Sequence, residues 1–199
     1  MYRLLACFAF GALTLTPALA FDGETQAVLD RMKLGKLVPI TEIATLMRQS
    51  ERWCYAEDDG ACAWSDIYLD VTGKGATFEI GNAWDAETDV VFTDHGTFRD
   101  GRYICETGYD WVPTIRAISR KDGTALTGRA LWALKAVIAE GRSESVDCFD
   151  YVLKGSDADA QTITLLQRQH TDGVTDPDRD VTVTLHFDAE SAAALSWYY

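Results

Sequence analysis

The hydrophobic period of the chain changes at Trp64, and this change constrains the fold more than any other feature of the sequence. From there apolar side chains recur at every second position, which is typical of β-strands. In SDIYLDVTGKGATFEIGN, residues 65–82, the alternation is symmetrical about Gly73-Lys74. A three-residue turn there would set Leu69 against Glu79 and mix the faces, so we predict a two-residue turn. The resulting hairpin has three apolar pairs, Val71–Ala76, Leu69–Phe78 and Ile67–Ile80.

The opposite face of this hairpin combines aromatic rings with carboxylates. It carries Trp64, Asp66, Tyr68, Asp70, Thr77 and Glu79. Rings beside carboxylates suit a sugar, whose C–H faces stack while its hydroxyls donate hydrogen bonds, and they also suit a cationic group. Aromatic residues covered by a helix would explain the same pattern. We predict a ligand-binding face formed by Trp64, Asp66, Tyr68, Asp70 and Glu79.

Further strands follow this hairpin. The segments TDVVF and TFR flank Asp94-His95-Gly96, which we predict to be a three-residue turn, and Asp100-Gly101 is a type I′ turn signal before the strand RYICE. A weaker strand, TIRAIS, covers residues 114–119. Three more predicted strands close the chain: DCFDYVLKG, QTITLLQRQ and DVTVTLHF.

Three helices are predicted beside these strands. Asp22 caps a helix that stops by Gly35, and Thr41 caps a second helix, so the two form an N-terminal helical pair. The segment TGRALWALKAVIAEG, residues 127–141, has few charges, and we expect it to be sandwiched by other elements or to pack on a partner. The order of elements indicates an α+β fold, with a mostly antiparallel, curved β-sheet of about eight strands around this inserted central helix.

The first twenty residues have the pattern of a signal peptide. A positive charge at Arg3 precedes an apolar run, and Ala18-Leu19-Ala20 offers the small residues that signal peptidase accepts. The run is shorter than the ~20 residues that a membrane-spanning helix needs, so we expect no membrane anchor. Cleavage after Ala20 would leave residues 21–199 as a single globular domain that is periplasmic or secreted.

The charge balance limits the partners of the mature chain. The sequence has 18 Lys and Arg against 31 Asp and Glu, a formal net charge of −13, and loss of Arg3 makes it −14. This balance argues against nucleic acid and against anionic lipid surfaces, because their phosphates would be repelled. It suits solubility, or a partner or ligand that is cationic.

Four cysteines remain after Cys7 leaves with the signal peptide. An even number in an exported chain indicates two disulfides. Three pairings are possible, and we favour Cys54–Cys62 with Cys105–Cys148. In the chain-entropy model these close loops of nine and 44 residues, which contribute about 2.6 and about 4 kcal/mol respectively.

No known catalytic or metal-binding pattern is present. The sequence lacks Gly-x-Ser-x-Gly, His-Glu-x-x-His and a phosphate-binding loop. His170 and His186 are expected near opposite ends of one strand pair, too far apart to share a metal. The acidic run at residues 176–180 alternates like a calcium loop, but Val181 and Phe187 stand where an EF-hand needs Gly and Glu. We expect no metal and no cofactor.

Three hypotheses about function follow from these observations. The first is an exported, non-enzymatic binding module for a small polar or cationic ligand or a glycan. The second is a carboxylate-dependent hydrolase of envelope glycans that acts through Asp70 and Glu79, which lie diagonally across the hairpin. The third is an envelope protein-interaction domain that uses the helix around Trp132 or the terminal Trp197-Tyr198-Tyr199.

Overall fold

The computed structural model describes residues 21–142 and 145–199, so the predicted signal peptide and its cleavage site after Ala20 lie outside the described residues. The helices are α1 (Gly23–Arg31), α2 (Ile40–Gln49), α3 (Gly128–Gly141) and α4 (Ala189–Ala194). The first strands are β1 (Leu37–Val38), β2 (Arg52–Tyr55), β3 (Ala61–Cys62), β4 (Trp64–Val71), β5 (Gly75–Ala83), β6 (Thr88–Arg99) and β7 (Tyr103–Glu106). The later strands are β8 (Arg116–Ser119), β9 (Asp147–Asp157), β10 (Thr162–Thr171), β11 (Val174–Thr175), β12 (Val181–His186) and β13 (Ser196–Trp197).

Eight antiparallel strands close into a barrel. Neighbours follow the order β9-β7-β6-β5-β4-β2-β12-β10, and β10 pairs again with β9. The predicted α+β class is confirmed, but the sheet is a closed barrel rather than an open curved sheet, because β9 is paired along both of its edges. Closure pairs each of these eight strands with a neighbour on both sides over at least part of its length.

The last junction of the barrel, between β7 and β9, is short. Only Ile104 with Phe149 and Cys105 with Cys148 are in register there, and the disulfide Cys105–Cys148 crosses it. The second disulfide, Cys54–Cys62, links β2 to β3. Both pairings are those favoured from the sequence.

The helical pair α1–α2 covers one end of the barrel. The antiparallel order brings the ends of β4, β6 and β12 to this end, where the Ile40 N–H donates to the Gly101 carbonyl at 3.0 Å. The Asp22 carboxylate caps α1, as predicted, whereas α2 follows Pro39 and begins at Ile40, one residue before the expected cap at Thr41. Apolar side chains of both helices pack with inward-facing barrel residues in one core that includes Val28, Ile43, Leu46, Met47, Trp53, Ile163, Leu165 and Leu185.

The hairpin β4–β5 turns at Gly73-Lys74 as predicted, but its predicted register is wrong beyond Leu69. Val71 is paired with Ala76, and then a β-bulge at Leu69 sets Tyr68 opposite Phe78. A bulge adds one residue to one strand and bends it, which helps the strand to follow the barrel wall. Leu69 is consequently 57% exposed. On one side of the bulge Tyr68 faces the barrel interior, whereas on the other side Asp70 faces outward.

The predicted turn at Asp94-His95-Gly96 is also wrong, since β6 runs through these residues without interruption. The turn at Asp100-Gly101 is correct: both residues have positive φ, and the Arg102 N–H donates to the Arg99 carbonyl at 3.0 Å. Along one edge, β6 pairs with β8 over residues 88–91 and with β7 over residues 96–99. The segment between these two pairings bears directly on the site described below.

Helix α3 is not enclosed by the curved sheet, contrary to the prediction from the sequence. It packs on one side against a small second core that consists of Val90, Ile115, Ala117 and Ile138. Its other side carries Trp132, which is 72% exposed. The expectation that this helix is sandwiched within the fold is therefore wrong.

The C-terminal strand β13 pairs with β3 and packs on the outside of the barrel. The Trp197 indole lies on Gly81, where an added Cβ would be 2.3 Å from Cζ2 of Trp197. Its Nε1–H donates to Ser65 Oγ at 3.0 Å, and the Tyr198 hydroxyl donates to the Ala56 carbonyl at 2.7 Å. Among the helices of residues 21–142 and 145–199, none is both long and apolar enough to span a bilayer.

Candidate functional site

A cavity of about 220 Å³ lies in the half of the barrel opposite α1 and α2. Barrels of eight strands have an interior that side chains just fill or that holds one small ligand. All eight barrel strands contribute to the cavity wall. The lining residues are Tyr55, Trp64, Asp66, Tyr68, Phe78, Ile80, Asp94, Gly96, Ile104, Glu106, Phe149, Tyr151, Gln167, Gln169, Arg179 and Val181.

A hydrogen-bonded group of polar side chains lies inside this wall. The Tyr55 hydroxyl donates to Asp66 Oδ2 at 2.8 Å. Gln167 Nε2–H groups donate to the hydroxyls of Tyr151 at 3.1 Å and Tyr55 at 3.4 Å. Burial raises the pKa of Tyr55 well above its ordinary value, so its hydroxyl stays neutral and remains a donor to Asp66.

Asp66 is the least satisfied member of this group. Its residue is 6% exposed, and its second oxygen, Oδ1, is buried without a hydrogen-bond partner among the described residues. Burial raises its pKa from 3.8 to about 7; the bond from Tyr55 opposes this shift, and the charge of Asp94 adds to it. A buried polar atom without a partner is uncommon in folded proteins, so this oxygen is a position at which a bound donor would be favoured.

Two further carboxylates line the cavity. Burial, and next the charge of Asp147, raises the pKa of Glu106 to about 7. Burial also raises the pKa of Asp94, although its Oδ1 accepts the His95 backbone N–H at 2.7 Å. Asp94 lies in the part of β6 between its pairings with β7 and β8. Asp94 and Glu106 also line an adjoining outer recess with Tyr109, Trp111 and Arg142.

Aromatic rings form much of the remaining wall. Tyr55 and Trp64 are stacked, with ring centroids 4.8 Å apart and planes at 12°. Tyr68 lies 5.5 Å from Phe78 and, in an edge-to-face arrangement, 5.1 Å from Trp53. These contacts fix the rings in position, which makes the wall rigid and apolar around the three carboxylates.

The structure divides the five residues that were predicted to form a ligand-binding face. Trp64, Asp66 and Tyr68 line the cavity. Asp70 is exposed, and Glu79 forms an ion pair with Arg116 away from the cavity. The bulge at Leu69 explains why these residues are separated. Residues two apart in a regular strand face the same way, but the extra residue makes Tyr68 face inward and Asp70 face outward. Asp70 and Glu79 therefore do not share a cavity with the aromatic residues.

The cavity residues that the sequence reasoning missed include Tyr55, Asp94, Glu106, Tyr151 and Gln167. Gln167 had a usable signal, because it continues the inward alternation of Ile163 and Leu165. A polar residue at a buried position of a strand indicates a polar partner within the barrel. Asp94 had the opposite signal, since Asp94-His95-Gly96 has the composition of a turn.

Another buried carboxylate, that of Asp150, lies outside the cavity and is fully paired. It is 0% exposed and binds Arg102 at 2.5 Å, Arg168 at 2.7 Å and His170 Nε2 at 3.1 Å. Burial raises the Asp150 pKa, but the hydrogen bonds from Arg168 and Arg102 outweigh it and hold the pKa below its ordinary value. This cluster joins β9, β10 and the β6–β7 turn and has a structural role.

One group of possible metal ligands occurs among the described residues, formed by Cys54, Glu57 and His186. Cys54 is disulfide-bonded to Cys62, so its sulfur is not free to coordinate. His186 Nε2 pairs with Glu57 at 3.0 Å. His170 and His186 lie toward opposite ends of the β10–β12 pair, as predicted.

The two surfaces that were predicted to dock a protein partner, on α3 and at the C-terminus, differ in their exposure to solvent. Trp132 stands in solvent on α3, whereas Trp197 and Tyr198 make the intramolecular contacts described above. Tyr199 is exposed. The terminal aromatic group is thus largely used to attach the C-terminus to the barrel.

No protein-family model matches this sequence, and neither the curated proteins nor the solved structures yielded a match.

Proposed function

We propose that this chain is an exported, non-enzymatic binding protein that encloses one small ligand in the barrel cavity. The observation that carries this proposal is the buried Asp66 Oδ1, an acceptor without a partner in an aromatic-walled cavity. The cavity, at about 220 Å³, is smaller than the ~300–1,000 Å³ of typical drug-sized sites. The ligand is therefore expected to be no larger than a single sugar ring or a short amine.

The composition of the cavity wall supports binding over chemistry. No Ser, Thr, Cys, His or Lys is among the described residues that line it, so nucleophilic catalysis by an activated serine, threonine, cysteine or lysine has no residue there. Export is supported by the two disulfides, which persist in oxidising compartments.

Tryptophan fluorescence tests this proposal, because Trp64 belongs to the cavity wall and Trp132 is exposed on α3. The oxidised protein is titrated with monosaccharides, amino acids and short amines while its emission is recorded. We expect a saturable change that is lost in Trp64→Phe and retained in Trp132→Phe. An emission response that depends on Trp132 instead of Trp64, or no saturable response to any probe, would contradict an internal site.

A glycan hydrolase is the second candidate, and one observation favours it. Asp66 and Glu106 line the same cavity with pKa values of about 7, which is typical of carboxyl groups that act as general acids. These residues replace Asp70 and Glu79 in that hypothesis, because the latter pair lies outside the cavity.

Release of reducing ends from soluble oligosaccharides of N-acetylglucosamine measures such an activity. The hydrolase hypothesis requires cleavage by the wild-type protein that Asp66→Asn and Glu106→Gln each abolish and Asp70→Asn leaves intact. Absence of cleavage by the wild-type protein favours the binding protein.

A further inference from the structure

We infer that the ligand of the barrel cavity is a small organic cation, an amine or quaternary ammonium, held by Asp66, Asp94 and Glu106 against the aromatic wall. This inference rests on the proposed function and identifies the chemical class of the ligand. It distinguishes a cation from a neutral sugar, the other class that rings beside carboxylates would suit.

The first argument is the charge balance of the cavity. Three carboxylates line it, and among the described lining residues Arg179 is the single basic side chain. Arg179 is 57% exposed at its side chain and pairs with Asp176 at 3.5 Å. In the adjoining recess, Arg142 pairs with Asp110 at 2.7 Å. Both arginines thus pair with acids outside the cavity, and of the three cavity carboxylates the positive charges of Arg142 and His95 act only on Asp94, where they oppose the rise of its pKa. A cationic ligand would compensate Asp66 and Glu106, which lack such a partner among the described residues.

The second argument is the balance of donors and acceptors. The Tyr55 hydroxyl is committed to Asp66, and Gln167 and Gln169 direct N–H groups to protein oxygens, the latter to Thr171 at 3.3 Å. The polar groups of the cavity that remain available to a ligand are rich in carboxylate acceptors, including Asp66 Oδ1. A protonated amine donates hydrogen bonds and accepts none, and a quaternary ammonium does neither and is attracted by charge alone, whereas a sugar hydroxyl needs both a donor and an acceptor. The cavity therefore fits an organic cation better than a sugar.

The third argument is the aromatic wall. The stacked Tyr55–Trp64 pair, Tyr68 and Phe78 line the same cavity as the three acids. Faces of such rings attract cations, most strongly where water is excluded. Rings alone would suit many ligands, but rings combined with uncompensated carboxylates favour a positive charge.

Binding of a cation must also displace protons. Asp66 faces Tyr55, Tyr68, Tyr151 and Asp94, while Glu106 faces Asp147 and Asp94, with Arg142 nearby. With pKa values of about 7, Asp66 and Glu106 are partly protonated near neutrality. A cation prefers their ionised forms, so each proton released makes the affinity rise by up to about tenfold per pH unit below pH 7.

Isothermal titration calorimetry with charged and neutral probes of equal shape tests this inference. The probes are choline and 1,4-diaminobutane, compared with 3,3-dimethylbutan-1-ol, butane-1,4-diol and N-acetylglucosamine. Titrations at pH 6, 7 and 8 in two buffers of different ionisation enthalpy measure affinity and proton release together. Asp66→Asn is compared with Asp70→Asn, an identical change in the same strand on the exposed side of the bulge, and Glu106→Gln is an independent interior variant.

We expect a cationic probe to bind at least tenfold more tightly than its neutral counterpart, with affinity rising from pH 6 to pH 8 and protons released. Asp66→Asn or Glu106→Gln should weaken this binding tenfold or more, and Asp70→Asn should not. Suppose instead that N-acetylglucosamine or a neutral probe binds with an affinity that does not depend on pH but falls in Asp66→Asn. This result would contradict a cationic ligand and would agree with the proposed function. Failure of every probe to bind, or binding that no interior variant changes, would overturn both.

Discussion

Asp66→Asn should make this protein more stable at pH 8, although it removes a hydrogen-bonded side chain from the barrel interior. The folded state raises the Asp66 pKa from 3.8 to about 7. Between these values the folded chain keeps a proton that the unfolded chain has released, so the free energy of unfolding falls as the pH rises. The shift of about three pH units corresponds to about 4 kcal/mol, of which about 3 kcal/mol develops above pH 5.

Asparagine has nearly the same shape, cannot ionise, and retains an oxygen that accepts from Tyr55. The stability advantage of Asp66→Asn over the wild-type protein should therefore grow by about 3 kcal/mol from pH 5 to pH 8 and level off above the folded pKa. Urea unfolding at each pH measures it. Glu106 titrates in both proteins, so the difference between the curves isolates Asp66, and Asp70→Asn is the matched control. Parallel curves for the wild-type protein and Asp66→Asn would refute the reasoning.

Three further changes test other parts of the structure. Gly81→Ala puts a Cβ 2.3 Å from the Trp197 ring, so we expect β13 to shift, a loss of about 1–3 kcal/mol in urea unfolding and altered tryptophan emission; unchanged emission would contradict the close packing. The double change Cys105→Ala with Cys148→Ala should cost about 4 kcal/mol because it releases a long loop, and a loss under about 1 kcal/mol would mean that the unfolded state is not constrained as assumed. Asp150→Asn leaves two arginines without their carboxylate and should lower the unfolding free energy by about 2–3 kcal/mol; wild-type stability in urea would show that the pairs are not formed.

Local sequence signals predicted the parts of the fold that local chemistry determines. The Asp22 cap of α1, the turns at Gly73-Lys74 and Asp100-Gly101, and both disulfide pairings are as expected. Each depends on a few neighbouring residues, or on spacing of cysteines, and needs no knowledge of distant contacts. The closure of the barrel could not be predicted this way, because the short β7–β9 pairing has no periodic pattern of its own.

Two strand predictions were wrong, the register at Leu69 and the turn at Asp94-His95-Gly96, and in both cases tertiary packing outweighed the local sequence pattern. Around Leu69 the apolar alternation favours one face, yet the aromatic side chains of Trp64 and Tyr68 fill the interior and a bulge makes room for both. Gly96 was interpreted as a turn residue, whereas a Cβ there would be 2.4 Å from Ile104 Cγ1 on the adjacent strand β7. The glycine is required by close packing, not by backbone conformation. The candidate site was therefore predicted only in part, as three residues of the β4 face.

The narrow β7–β9 junction gives the cavity a dependence on its chemical surroundings. Ile104 and Phe149, the one register pair there besides the two cysteines, both line the cavity, and Glu106 follows directly. In reducing conditions the wall would lose its covalent link at the junction where two barrel strands pair over the fewest residues. The proposed ligand would then dissociate faster from the reduced protein than from the same protein in an oxidising compartment.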